Sequence, residues 1–225
     1  MTRRRFPPVI AFFGPDGSGK STQARLLLKH LRLHGYRARY AWIRGRHSFA
    51  FALAFLLTKL GYHRNIGYPS GTVKKVFDPQ RLPGIRRLWA FIELVSVLPW
   101  ILLRVQLPIM LGYTIVADHY VVDTVVYLAY WLGEAVFQSF SAKVLLSLIP
   151  RGSRLLFLNA DTNTLSERIT NDMESKDYLK FQQRFCLKLA KTLHASNIDT
   201  SELTIEEAFK VTLKVLDDPR SRASR

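Results

Sequence analysis

Val9-Ile10-Ala11-Phe12-Phe13-Gly14-Pro15-Asp16-Gly17-Ser18-Gly19-Lys20-Ser21 is the stretch from which the fold class is read. Val9 to Phe13 is an unbroken apolar run, and its lack of alternation predicts a parallel strand buried on both faces. Beyond the glycines, Ala24, Leu27, Leu28 and Leu31 recur at helical spacing and Gly35 stands where a helix C-cap belongs, which predicts a helix over 20–34. Between strand and helix the pattern G-x-x-x-x-G-K-S/T is met by Gly14, Gly19, Lys20 and Ser21. Glycines let the backbone turn its N–H groups inward while the new helix aims its N-terminus at the same spot, so converging donors await a phosphate. In such a loop the lysine bridges the β- and γ-phosphates of ATP and the serine hydroxyl ligates Mg²⁺, which gives Lys20 and Ser21 those candidate roles. The candidate ATP-binding residues are Gly14, Pro15, Asp16, Gly17, Ser18, Gly19, Lys20, Ser21 and Thr22.

Working outward, residues 37–43, 114–117, 155–158 and 195–198 read as four further strands separated by helical patterns. Strands alternating with helices predict a three-layer α/β/α fold on a five-stranded parallel sheet, with ligands at the carboxyl ends of the strands. The chemistry-bearing residues cluster there: Arg44 and Arg46 follow the second strand, Asp118-His119-Tyr120 the third, and Asp161 the fourth. Thr204-Ile205-Glu206-Glu207 opens the last helix as a capping box, and residues 217–225 form a polar tail. With 225 residues, 48% of them hydrophobic, the chain reads as one domain spanning 1–225.

The formal net charge is +16, and residues 1–46 carry eleven Lys/Arg against one acid, Asp16. Such an excess predicts anionic partners: nucleotide phosphates first, with nucleic acid or an anionic membrane surface as alternatives. One cysteine, Cys186, allows no internal disulfide, which favours the cytoplasm; its apolar helical setting predicts packing rather than nucleophilic use. Residues 48–57 and 88–113 are unusually apolar. Glu93, Pro99, Arg104 and Pro108 interrupt the second stretch and argue against a membrane span. A continuous α-helix would set Glu93 and Arg104, eleven residues apart, on nearly one face, as in a core helix. A homodimer or a lipid contact through these apolar helices is the alternative use.

At 12–22 the sequence resembles the thymidylate kinase family, whose loop also carries an acidic residue within the glycine run. Pro108-Ile109-Met110-Leu111-Gly112, leading to Asp118-His119-Tyr120, is similar to that family's proline, glycine, buried strand and Asp-Arg-Tyr series. Ile198-Asp199-Thr200-Ser201 resembles its closing segment. The resemblance implies a P-loop kinase fold, with Asp16 near the sugar and phosphate end of the acceptor and Arg44 on the acceptor phosphate. Arg46, His119 and Tyr120 join them as acceptor-binding candidates, while Asp118 organises Mg²⁺ and the transferring group beside the catalytic Lys20. A lid at about 170–180 is implied too, with Arg168, Lys176, Lys180 and Arg184 as candidates. Three departures stand out: His119 replaces the family's arginine, Gly17 puts no cation beside Asp16, and the arginine of the helix before the third strand lacks a counterpart. An ammonium neutralises charge but does not grip two phosphate oxygens as a guanidinium fork does.

The expected activity is therefore ATP- and Mg²⁺-dependent phosphoryl transfer to a phosphate-bearing acceptor, with a nucleoside monophosphate such as dTMP foremost. A polyphosphate or amphiphilic phosphate ester is the alternative acceptor, and a non-catalytic nucleotide-binding module the alternative class.

Overall fold

Strands that are apolar on both faces build the sheet. In the computed structural model, which describes residues 6–43, 48–67, 71–82, 85–169 and 176–218, with the backbone alone for 85–87 and 176, β1 (Val9–Phe13) is buried at all five positions. Its parallel neighbours are β5 (Thr114–Asp118) and β6 (Arg154–Asn159). β2 (Ala38–Ala41) and β7 (Ser196–Asp199) close the edges, giving the order β2-β5-β1-β6-β7. Ile10, Phe12, Val116, Leu156 and Leu158 point to one side, where α1 (Lys20–Leu33) and α9 (Ile205–Asp217) pack. Val9, Ala11, Phe13, Ile115, Ala117 and Phe157 point to the other, toward α3 (Ile85–Ile101), α5 (Val121–Leu132), α6 (Phe140–Ser147) and α8 (Lys176–Thr192). Two cores on one sheet make the three-layer α/β/α architecture expected from the strand–helix alternation.

Helix ends follow local chemistry. Gly35 adopts φ +77 after α1, so Gly35 N–H donates to Arg32 O and Tyr36 N–H to Leu31 O, closing the helix with a Schellman pair. Thr204 caps α9 reciprocally with Glu207. Asp161 caps the short α7 (Thr162–Arg168), accepting from the backbone of Asn163 and Thr164.

Two features differ from the sequence expectation. A second, two-stranded antiparallel sheet, β3 (His63–Gly67) with β4 (Val73–Phe77), follows α2 (Ser48–Lys59). Moreover, α3 does not continue as one α-helix. At Leu102–Gln106 it widens into a π-turn, with Leu107 N–H donating to Leu102 O, before α4 (Leu107–Met110). Pro108 has no N–H to donate, and the wider turn accommodates that missing bond. The widened turn breaks the 3.6-residue period, so Glu93 lies wholly buried while Arg104 is exposed, and the two do not share a face. Of the expected lid at 170–180, residues 176–180 form the first turn of α8, while 170–175, like 219–225 of the polar tail, lie outside the described residues.

Candidate nucleotide site

The loop between β1 and α1 is held by its glycines. Gly14, Gly17 and Gly19 have φ of +145, +84 and +89. A Cβ at Gly14 would lie 2.0 Å from Leu158 O, so side-chain-free backbone is required where the loop crosses β6. Gly19 stands as the N-cap of α1 in the left-handed region, and the helix N-terminus opens behind it. Lys20, only 4% exposed, donates through Nζ to Gly14 O at 2.9 Å, Pro15 O at 2.8 Å and Asp16 Oδ1 at 3.3 Å. The ammonium is thus positioned on the inner rim of the loop, with its three donors directed by the loop itself.

A cavity of about 540 Å³ opens over this loop. Asp16 to Gln23 form its floor; His119 closes one side, and Arg168, Thr200 and Leu203–Ile205 with Ala208 form the other. Arg168 is fixed there by Thr200, to which Nη1 donates at Oγ1 (3.1 Å) and Nη2 at the carbonyl (2.8 Å). Among the lid candidates whose side chains are described, Arg168 alone lines the cavity. Arg184 turns to Glu134 at 2.8 Å, Lys180 is exposed on α8, and the side chain of Lys176 lies outside the described residues.

β5 delivers the next group. Asp118, 1% exposed at the carboxyl end of that strand and in register with Phe12, accepts a 2.6 Å hydrogen bond at Oδ2 from Tyr40 on β2. Burial, then the bond to Asp118, raise the Tyr40 phenol far above its ordinary range, so it remains a donor. Asp118 Oδ1 is buried without a hydrogen-bond partner among the described residues. Such an orphaned carboxylate oxygen beside a phosphate loop suits the hydrated shell of Mg²⁺, which prefers carboxylate and water oxygens. Together with Ser21 on the cavity floor, it supplies a donor set that fits the metal. His119 has φ +64, uncommon for a non-glycine residue; its Nδ1 lies 3.1 Å from Asp123 Oδ1 and its ring meets Trp42 edge-on at 6.3 Å. That backbone turn lets Asp118 and His119 follow one strand yet present different sides, one to Tyr40 and the other to the cavity.

Tyr120 is placed elsewhere: it is 0% exposed, and its hydroxyl donates to Leu148 O at 3.1 Å, within the core layer. Arg44 and Arg46 lie outside the described residues. Residues that the sequence reading did not single out also frame the site. Gln182 of α8 accepts the backbone N–H of Asp16 at 3.2 Å, and Gln23 Nε2 donates to Ile205 O at 3.0 Å, joining α1 to the start of α9. The capping box at Thr204 marked that helix start in the sequence, but nothing local marked it as a cavity wall.

Comparison with solved structures decides the fold. Thymidylate kinase from Candida albicans superposes with a TM-score of 0.59 over 97% of this chain and 94% of that one, at 17% sequence identity. The chain has the thymidylate kinase fold. No protein-family signature and no curated protein sequence matches it. That structure is described as revealing the origin of a broad substrate specificity. In the fold shared with it, the glycine loop, the carboxyl end of β5 and the start of α9 converge on one cavity.

Proposed function

We propose that this protein is an ATP-dependent phosphotransferase whose acceptor is a nucleoside monophosphate such as dTMP. The observation that carries the reading is the cavity that brings together Lys20, Ser21, His119 and Arg168, with Asp118 preceding His119 at the end of β5. The triphosphate would lie along the Gly14–Thr22 backbone, with Lys20 exchanging its carbonyl partners for β- and γ-phosphate oxygens. Mg²⁺, held by Ser21 Oγ and through water by Asp118, would neutralise charge on those oxygens. Arg168, tethered to Thr200, supplies a planar cation from the α7 side, where the lid lysines would otherwise stand alone. Asp16 and His119 sit between the loop and the acceptor side, and Arg44 and Arg46 remain the candidates for the acceptor phosphate. Positioning and electrostatics suffice for in-line transfer, because the protein contributes no covalent step.

A second acceptor class is favoured by one observation. His119 leads by contact to Trp42, whose carbonyl accepts from Arg104 at 3.3 Å, and the Arg104 guanidinium lies 4.3 Å above Trp100. An amphiphilic phosphate ester would find aromatic and cationic groups along that path.

Labelled ATP offered with a panel of acceptors tests both readings. Transfer to dTMP well above other phosphates supports the first; preference for an amphiphilic ester supports the second. Tight ATP binding without transfer to any acceptor would reduce the protein to a nucleotide-binding module. Lys20→Ala is expected to lower turnover at least about a hundredfold, as loss of a preorganised charge does.

A further inference from the structure

β2 is the outermost strand of the five-stranded sheet, and the side chains around its open edge are cationic. From Gly17 to Phe77 the sequence holds no Asp or Glu, so α1 and β2 bring no acid of their own. On α1, Arg25, Lys29 and Arg32 follow the i, i+4, i+7 spacing of one helix face, and all three are exposed. Arg32 ties that face to the strand, its Nε donating to Ala38 O at 3.1 Å. β2 supplies two more cations. Ala38 and Tyr40 point to the α1 side and Ala41 to the other, so strand alternation sends Arg37 and Arg39 to the side opposite α1. Both are exposed. The five charges therefore make a ridge that wraps the sheet edge from one layer to the other.

Arg37 and Arg39 are held in place without an acid. The guanidinium carbon of each lies over the Tyr113 ring, 4.3 Å from its centroid, so the two charges are at most twice that distance apart. Arg37 O accepts the Thr114 N–H at 2.8 Å, which sets Tyr113 beside Arg37 across the strand pair. Hydrogen bonds and charge, from Arg37 first and then Arg39, draw the Tyr113 phenol below its ordinary 10.0. Elsewhere exposed cations find carboxylates: Arg184 and Lys188 share Glu134, and Arg64 takes Asp78. Among the described residues none of the five ridge cations does. A guanidinium resting on a ring keeps its N–H edges free, and those edges are what grip phosphate oxygens.

Shape selects the occupant. A second copy of the chain would set the same charges against the ridge, and like charges at an interface are costly. A bilayer is flat and meets one side of a sheet edge, leaving the cations of the other side unused; a duplex, stiff over such lengths, does the same. A flexible polyanion follows the ridge around the edge. We infer that the β2 edge, through Arg25, Lys29, Arg32, Arg37, Arg39 and Tyr113, binds the phosphate backbone of single-stranded nucleic acid. Backbone contacts carry no sequence information, so binding is independent of base sequence. None of these residues lines the nucleotide cavity, and the inference holds whichever acceptor is used.

Fluorescence anisotropy tests it, with the full chain titrated into a labelled single-stranded DNA of about twenty nucleotides, longer than a typical single-strand site. Titrations at about 50 to 200 mM NaCl give the salt slope, to which each phosphate contact on a single strand adds about 0.7. Arg37→Gln/Arg39→Gln should therefore lower the slope by about 1.4 and weaken binding at least about tenfold at about 0.1 M salt. Lys29→Gln, on the other layer, should lower the slope by about 0.7. Lys59→Gln/Lys75→Gln removes two exposed charges on α2 and β4, away from the ridge, and should leave the affinity within about twofold. All five side chains are exposed, and unchanged circular dichroism would show that the variants fold. No binding of the strand would overturn the inference, as would unchanged binding by Arg37→Gln/Arg39→Gln. Equal losses in the ridge pair and the Lys59/Lys75 pair would do the same, since net charge alone would then explain the binding. Displacement of the strand by vesicles of phosphatidylglycerol and phosphatidylcholine would overturn it by showing a lipid surface as the occupant.

Discussion

Tyr40 and Asp118 lie 78 residues apart and meet through one 2.6 Å hydrogen bond at the carboxyl ends of adjacent strands. Tyr40→Phe leaves a buried carboxylate oxygen without its donor, which costs about 1–3 kcal/mol. For a domain of this size the melting temperature should fall by roughly 3–8 °C. Turnover should fall as well, because Asp118 loses the group that orients it; thermal unfolding and initial rates on the same preparation check both. A second test separates loop geometry from loop chemistry. Gly14→Ala places a methyl 2.0 Å from Leu158 O, whereas at Gly19 no atom lies within 4 Å of an added Cβ. Both changes carry positive-φ strain of about 1–3 kcal/mol, but only the first also requires backbone to move. Gly14→Ala should therefore melt well below Gly19→Ala in thermal unfolding. The glycines of the loop were legible in the sequence because their spacing is a local pattern; the Tyr40 contact was not, since pairing of β2 with β5 depends on sheet order.

At the scale of elements, the five parallel strands could be read because strands buried on both faces are continuous apolar runs. β3 and β4 escaped that reading: His63-Arg64-Asn65 and Lys74-Lys75 are mainly exposed, so no hydrophobic period marks them. The π-turn was hidden for a different reason. Its wide geometry answers Pro108 and the packing of Val105, whereas heptad-like spacing presumes an unbroken α-helix. Deleting Leu103 would close the wide turn to α-helical geometry and press the Pro108 ring against the carbonyl four residues before it, so a loss of stability is expected in denaturant titration. Helix caps give an acid dependence. The Thr204 N–H and hydroxyl hold the Glu207 carboxyl below its ordinary 4.5, and Thr164 does the same for Asp161 relative to 3.8. Depressed folded-state values mean that these caps contribute stability above the ordinary values and lose it as pH falls through the folded ones. Glu207→Gln should thus flatten the decline of melting temperature between about pH 5 and 3, while lowering it by a few degrees at neutral pH.

For the whole molecule, a formal charge of +16 acts against folding. Repulsion among solvent-exposed cations opposes the compact state, and screening relieves it over a distance of about 8 Å at physiological ionic strength. The carboxylate of Glu134 draws in both Arg184 and Lys188, a local response to this excess, while over 37–113 twelve Lys/Arg outnumber two carboxylates, of which the buried Asp78 pairs with Arg64 at 3.0 Å. Stability should consequently rise with salt, in contrast to proteins held by surface ion pairs. Melting curves collected from about 20 to 500 mM NaCl, spanning several Debye lengths, give that slope. In Lys59→Gln/Lys75→Gln the slope should shrink, because exposed cations are responsible for it. A melting temperature that falls as salt rises would mean that exposed ion pairs outweigh repulsion in this fold.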